Sequence, residues 1–410
     1  MKPRQYACAA IERIVSEHGY ASLILRNMPE EFSAQDRGLV SELVYGTVRN
    51  WTRCAFQWQD LARKKVKNRT AANLTMSVYQ LLFLDKVPDY AVINEAVQQA
   101  DRHEKGFVNA VLHAIQKRGE VKPVFKDDLE ECAYETSHPL WLLKLWSAHY
   151  GKDNAMAIAR HDQESALVYG RRNPLKLSME ELSSYKGIHL LEEDCFTCDG
   201  VLSRSPLFEQ GKVLIQDRAS QKIPQLLKAE PGMKVLDACA APGTKTQQIA
   251  CAMENQGEIL AMDLHEERLA LIDALMKRTG VSIVRTQAGD ASKDNGLARN
   301  SFDRILVDAP CSGLGDLSHK PEIRFHVTPE SLDELCSIQS GILETSSSLL
   351  KEGGILVYST CTLNRKENEQ QVRKFLERHA EFSLLEEHAW LPMELNSDGF
   401  YAAQLVKNRK

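Results

Sequence analysis

The sequence contains no apolar stretch of about 18 residues, the length a membrane-crossing helix needs. Its opening residues, Met1-Lys2-Pro3-Arg4-Gln5, lack the apolar core of a secretory signal, so a cytosolic protein with no membrane segment is expected. Cysteine is also sparse. Ten in 410 residues are too few for a disulfide scaffold, and in a reducing compartment each thiol stays free unless it binds metal or does chemistry. The 22 glycines and 14 prolines exclude a collagen-like or low-complexity chain, and 43% hydrophobic with 26% charged residues is ordinary globular composition. A chain this long exceeds the roughly 250–300 residues that one core fills, so several domains are expected.

Excess positive charge is absent overall but not locally. The formal charge is -5, yet residues 1–126 carry 19 Lys and Arg against 13 Asp and Glu, leaving 32 against 43 for residues 127–410. A basic front on an acidic chain suits a module that neutralises phosphates, and Arg63-Lys64-Lys65-Val66-Lys67-Asn68-Arg69 is its densest cluster.

Helical spacing of apolar residues predicts helices over 6–18, 38–51, 70–84 and 92–116, with a break at Val87-Pro88. Residues 1–126 are thus read as an all-helical bundle. Residues 127–230 read as a small α+β connector, with a helix opening at Ser137-His138-Pro139-Leu140-Trp141 and a short strand and turn over 167–174. Within it Cys195-Phe196-Thr197-Cys198 has the spacing of half a zinc site. No second pair follows nearby, structural zinc takes four ligands, and no metal is expected. From 231 to 410 strands at 234–240, 258–263, 282–288, 302–308 and 354–359 alternate with helices at 245–253, 266–278, 329–350 and 366–378. That alternation predicts a Rossmann-like α/β domain around a parallel sheet, closed by an edge pair at 382–386 and 400–406.

The first crossover of this sheet reads Asp237-Ala238-Cys239-Ala240-Ala241-Pro242-Gly243-Thr244-Lys245, a strand running through small residues into a helix. Small side chains admit a cofactor close to the backbone, and Asp263 follows at the spacing at which an acid takes ribose hydroxyls. A pyrophosphate cofactor wants three glycines, and only Gly243 is present. S-adenosylmethionine has no phosphate and needs a tight turn, an acid for its ribose and a polar group for its adenine, which Asp290 at the third strand end could read. Residues 239–245 with Asp263, Asp290 and Asp308 are the expected cofactor site.

Two further strands end in thiols, Asp308-Ala309-Pro310-Cys311-Ser312-Gly313 and Ser359-Thr360-Cys361-Thr362. Beside a methyl donor a thiol has a definite use. Carbon-5 of cytosine is a poor nucleophile until a thiolate adds to carbon-6, and Asp308 could then relieve charge at ring nitrogen 3. Spacing alone leaves open which thiol attacks, since Pro310-Cys311 also matches the motif that supplies the nucleophile in DNA cytosine methyltransferases.

These motifs, with Lys320-Pro321-Glu322-Ile323-Arg324-Phe325, Glu367-Asn368-Glu369 and Asp398-Gly399-Phe400-Tyr401, resemble the RsmB/Nop2/Sun family of RNA cytosine-5 methyltransferases. The Val87-Pro88 turn, Ile93-Asn94-Glu95-Ala96-Val97 and Gly106-Phe107-Val108-Asn109-Ala110-Val111-Leu112 resemble NusB-like helical RNA-binding modules. The resemblance implies Cys361 as nucleophile, Cys311 as the thiol that assists product release, S-adenosylmethionine as methyl donor and Lys245 near the base. It implies 16S ribosomal RNA, in a single-stranded or loop region, as substrate; the alternatives are the same chemistry on another RNA such as transfer RNA, or a non-catalytic RNA-binding or antitermination protein. A monomer is expected, with no metal and no membrane. The chain departs from the family at Thr244, where a second glycine is usual, and at Ser318-His319, which replace an arginine pair.

Overall fold

The computed structural model describes residues Met1–Arg409 and divides into two compact units. The first comprises Met1–Ser165 together with Leu317–His326; the second begins at Ala166 and contains the remainder.

Helices Pro3–Ser16, Ala34–Arg49, Asn68–Phe83, Asp89–Gln99 and Lys105–Arg118 occupy the expected stretches of the first unit. The region read as one helix over 92–116 is two, because the chain leaves helical geometry at Ala100 and restarts at Lys105. Ala21–Arg26 and Trp51–Gln59 are additional helices. Ser33 caps its helix by accepting from the Asp36 amide while Asp36 accepts from Ser33, a reciprocal arrangement that starts the helix there. Ile11, Ile14, Leu43, Val44 and Met76 form one fully buried core, as their helical spacing requires.

The division runs through the residues read as a connector. Helices Asp128–Glu135, Leu140–Tyr150 and Lys152–His161 belong to the first unit, whereas the strands after Ser165 belong to the second. Leu317–His326 also joins the first unit, held by Arg324. The Nη1 of this buried side chain donates to the carbonyls of Arg49, Thr136 and Ser137 at 3.1, 3.0 and 3.0 Å, and Glu322 accepts from the Ala21 amide at 2.9 Å. Ser318 is buried, with its carbonyl taken by Arg49.

In the second unit, β1 (Gly170–Arg172), β2 (Ile188–Glu192), β3 (Cys195–Cys198) and β4 (Val213–Ile215) form an antiparallel sheet in the order β2-β3-β1-β4. Cys195 and Cys198, three residues apart on one strand, face opposite sides of it. The larger sheet has β5 (Lys234–Asp237), β6 (Glu258–Asp263), β7 (Val284–Ala288), β8 (Phe302–Asp308), β9 (Leu350–Thr360), β10 (Phe382–Trp390) and β11 (Phe400–Lys407) in the order β10-β11-β9-β8-β5-β6-β7. Strands β5 to β9 are parallel and β10 and β11 form the antiparallel edge. The order reverses at β5, so the crevice between the ends of β5 and β8 is where such a sheet binds ligands. The helix expected from Lys366 begins only at Glu369. Buried Arg171 of β1 donates to Gln216 Oε1 at 2.6 Å, to the Thr244 carbonyl at 3.3 Å and to Gln247, which fixes the small sheet to the helix after β5.

Removing the Arg324 guanidinium strips three buried carbonyls of a charged donor, and breaking such buried charged contacts costs about 3 kcal/mol or more. Arg324→Met is expected to lower unfolding stability by that order in a denaturant titration of the full chain.

Candidate active site

The small residues after β5 make a compact turn. The Ala240 amide bonds the Met262 carbonyl at 2.7 Å, the Gly243 amide bonds the Ala240 carbonyl at 2.7 Å, and the Ala241–Pro242 bond is cis. Gly243 has φ of 100°, which favours glycine, and a Cβ there would press on Ile272. Thr244 is the first residue of helix Thr244–Ala252, where no glycine is required, and this accounts for the first departure.

Cys239, Ala241, Asp263, Asp290 and Asp308 line one cavity of about 240 Å³ with Leu264, Pro310, Ile338 and Ile342. Ala240 lies buried beneath it. Neither this cavity nor another of about 310 Å³, between Leu236, Met262, Lys293 and Arg299, is lined by Cys311 or Cys361, and only the first reaches Asp308. The smaller one has an apolar slot, carboxylates at its rim and no array of glycine amides, so it suits a nucleoside carrying no pyrophosphate. Its two outer carboxylates already have partners. Asp263 accepts from the Ala241 amide at 3.2 Å, the His265 amide at 3.1 Å and Arg268 at 3.3 Å. Asp290 accepts from the Ser292 amide and hydroxyl at 3.0 and 2.6 Å and pairs with Lys293 at 3.1 Å; the Ser292 bonds and Lys293 hold its carboxyl below the usual range. Burial pushes the Cys239 thiol up, away from reactivity.

Lys245 turns inward and donates to Asp308 Oδ2 at 2.6 Å, while Ser359 donates to Oδ1 at 2.8 Å. Burial works against the lysine charge, but Asp308 and then Cys361 outweigh it and raise its pKa. Asp237, fully buried at the end of β5, is pushed up by burial to about 7, opposed by the Thr246 hydroxyl that donates to it at 2.7 Å.

The thiols that close β8 and β9 meet. Cys311 Sγ and Cys361 Sγ are 3.4 Å apart. The bond to Cys361, then burial, then the charge of Cys361 and after it the negative Glu367 raise the Cys311 pKa well above that of an ordinary thiol. Lys245 acts electrostatically on Cys361 and Glu367 on Cys311, and Glu367 also accepts from Thr362, next to Cys361, at 3.4 Å. Every expected catalytic residue thus reaches one strand edge. Sequence reasoning missed Arg268 and, within motifs it did single out, the roles of Asp237, Ser312 and Ser359, which depend on neighbours distant in the chain. Glu367 stood in a noted motif, yet before a helix an acid looks like an ordinary cap.

Three comparisons with known proteins agree with this fold. The family described as 16S rRNA methyltransferase RsmB/F matches residues 224–406, and the NusB family matches residues 1–117. The probable ribosomal RNA small subunit methyltransferase B of Bacillus subtilis is 37% identical over 92% of this chain and 89% of its own. Among solved structures, PH0851 covers 99% of both chains with a TM-score of 0.82 at 24% identity. NSun6 from Pyrococcus horikoshii with SFG, an S-adenosylmethionine analogue, covers 66% of this chain and 99% of its own with a TM-score of 0.61 at 23% identity.

Asp263→Asn keeps an oxygen acceptor but removes the charge that suits ribose hydroxyls. Its S-adenosylmethionine dissociation constant, measured by calorimetry, is expected to rise about tenfold, or about 1.4 kcal/mol.

Proposed function

Because the chain belongs to the RsmB/F family of S-adenosylmethionine-dependent 16S rRNA methyltransferases, we propose that it methylates carbon-5 of one cytosine through a covalent Cys361–RNA adduct. The contact between two thiols at the cofactor crevice carries this reading, since methylation at nitrogen or oxygen needs no sulfur nucleophile. When bound, S-adenosylmethionine supplies the methyl group at the cavity lined by Cys239, Ala241, Asp263, Asp290 and Asp308, beside the turn that leads to Lys245.

The Cys361 thiolate forms a bond to carbon-6, and the ring electron pair moves toward carbon-5, which becomes nucleophilic. Lys245 favours the thiolate form, and the Lys245–Asp308 pair offers the ring a proton donor and an acceptor side by side as charge grows at nitrogen 3. After methylation the carbon-5 proton must leave and the sulfur–carbon-6 bond must break. Cys311 takes the carbon-5 proton as its own proton passes to the departing Cys361 sulfur. Both thiols then end protonated, and one proton is shed to solvent before the next turn.

The target base has to leave its stack to reach Cys361, so an unpaired or loop segment of 16S rRNA is the substrate. The NusB-like helices, with the basic run Arg63–Arg69, supply the sequence-independent part of RNA affinity.

With unmodified 16S RNA and labelled cofactor, Cys361→Ala is expected to transfer no methyl group and form no adduct. Cys311→Ala is expected to accumulate a denaturant-resistant protein–RNA adduct on electrophoresis. Activity retained in Cys361→Ala and lost without adduct in Cys311→Ala would assign the nucleophile to Cys311.

A further inference from the structure

Glu367 is completely buried, two residues before helix Glu369–Arg378, and no lysine, arginine or histidine pairs with it among the described residues. Its partners come from three separate segments. The Ser312 amide donates to Oε2 at 2.9 Å and the Ser312 hydroxyl to Oε1 at 2.6 Å; Asn364 donates to Oε1 at 3.1 Å, and Gln339 to Oε2 at 3.0 Å. The same Gln339 amide donates to the Pro310 carbonyl at 3.0 Å. Every one of these groups donates, so the carboxyl group acts only as an acceptor and is an anion stabilised by neutral dipoles. A buried charge without a counter-ion is costly to keep, and sites that keep one use it.

The bonds reach both thiol loops. Ser312 follows Cys311, Pro310 precedes it, and Asn364 lies three residues beyond Cys361. The loops are further tied by Ser312 Oγ and Thr362 Oγ1 at 2.7 Å, and by Asn368, which accepts from Thr360 at 2.6 Å and donates to the Thr362 carbonyl at 2.8 Å. Tyr358 donates to the Glu367 carbonyl at 2.6 Å.

We propose that Glu367 is a positioning residue that holds Cys311 against Cys361 and, through its buried charge, divides the work between the two thiols. Without this anion only burial and the contact with Cys361 oppose ionisation of Cys311, while Lys245 favours it on the Cys361 side. With it, Cys311 retains the proton it delivers to the departing sulfur, and Cys361 is the thiol free to attack. The consequence for turnover rests on the cytosine-5 reading, but the state of the thiols does not.

The test is iodoacetamide alkylation of the full chain without RNA or cofactor, scored at each cysteine by mass spectrometry, in wild type and E367Q, with thermal melts to establish folding. Removing the anion is expected to raise the Cys311 alkylation rate about tenfold, one unit of thiol ionisation, while Cys361 changes by less than about threefold. An unchanged ratio in folded E367Q would overturn the proposal. Should E367Q not fold, S312A removes one donor and leaves the charge. Its Cys311 alkylation is then expected to stay low while kcat for methyl transfer falls about tenfold with both KM values unchanged, because spacing alone is disturbed. An unchanged kcat, or KM values that rise with its fall, would overturn the proposal equally. If wild type transfers no methyl group, the alkylation ratio still decides the role of Glu367 and only the reaction reading fails.

Discussion

Making a thiolate in a crevice walled by apolar side chains costs free energy unless a cation stands beside it, and the reaction proposed for the second unit depends on meeting that demand. Lys245 is carried on the helix after β5, is anchored by Asp308 at the end of β8, and acts on Cys361 at the end of β9. Three strand ends must therefore be held in register. The parallel pairing of β5 with β8 and of β8 with β9 does this, with Asp308 opposite Ser359, whose hydroxyl also bonds it. Displacing any one of the three strands would separate the cation from the sulfur.

The remaining features narrow what the crevice can do. Its small-residue turn and single positive-φ glycine leave room for a nucleoside and none of the amides a pyrophosphate needs. Carboxylates edge the cofactor side, and the reacting side has thiols and a lysine. The Lys245 charge acts on Cys361 and the Glu367 charge on Cys311, so sulfurs 3.4 Å apart have different surroundings.

Much of this was readable from the sequence because it is local. Alternating strands and helices placed β5, β6, β8 and β9 within a few residues, since parallel strands buried on both faces have an unbroken apolar pattern. The thiols and acids sit in short motifs directly at strand ends. What escaped depends on distant partners. The helix after β9 starts at Glu369 and not at Lys366, because Glu367 and Asn368 are committed to the thiol loops. Leu317–His326 carries nothing in its own composition to say that Arg324 is buried among carbonyls of the first unit, and the helices at 128–161 were read apart from the bundle they join for the same reason.

The central claim is that carbon-5 is the atom methylated, and it is tested most directly with 16S RNA carrying tritium at carbon-5 of its cytosines and an unlabelled cofactor. Each methyl group placed on carbon-5 must expel the hydrogen already there, so tritium is expected in water in a one-to-one ratio with methyl groups transferred. Methyl transfer with all tritium retained in the RNA would contradict the account.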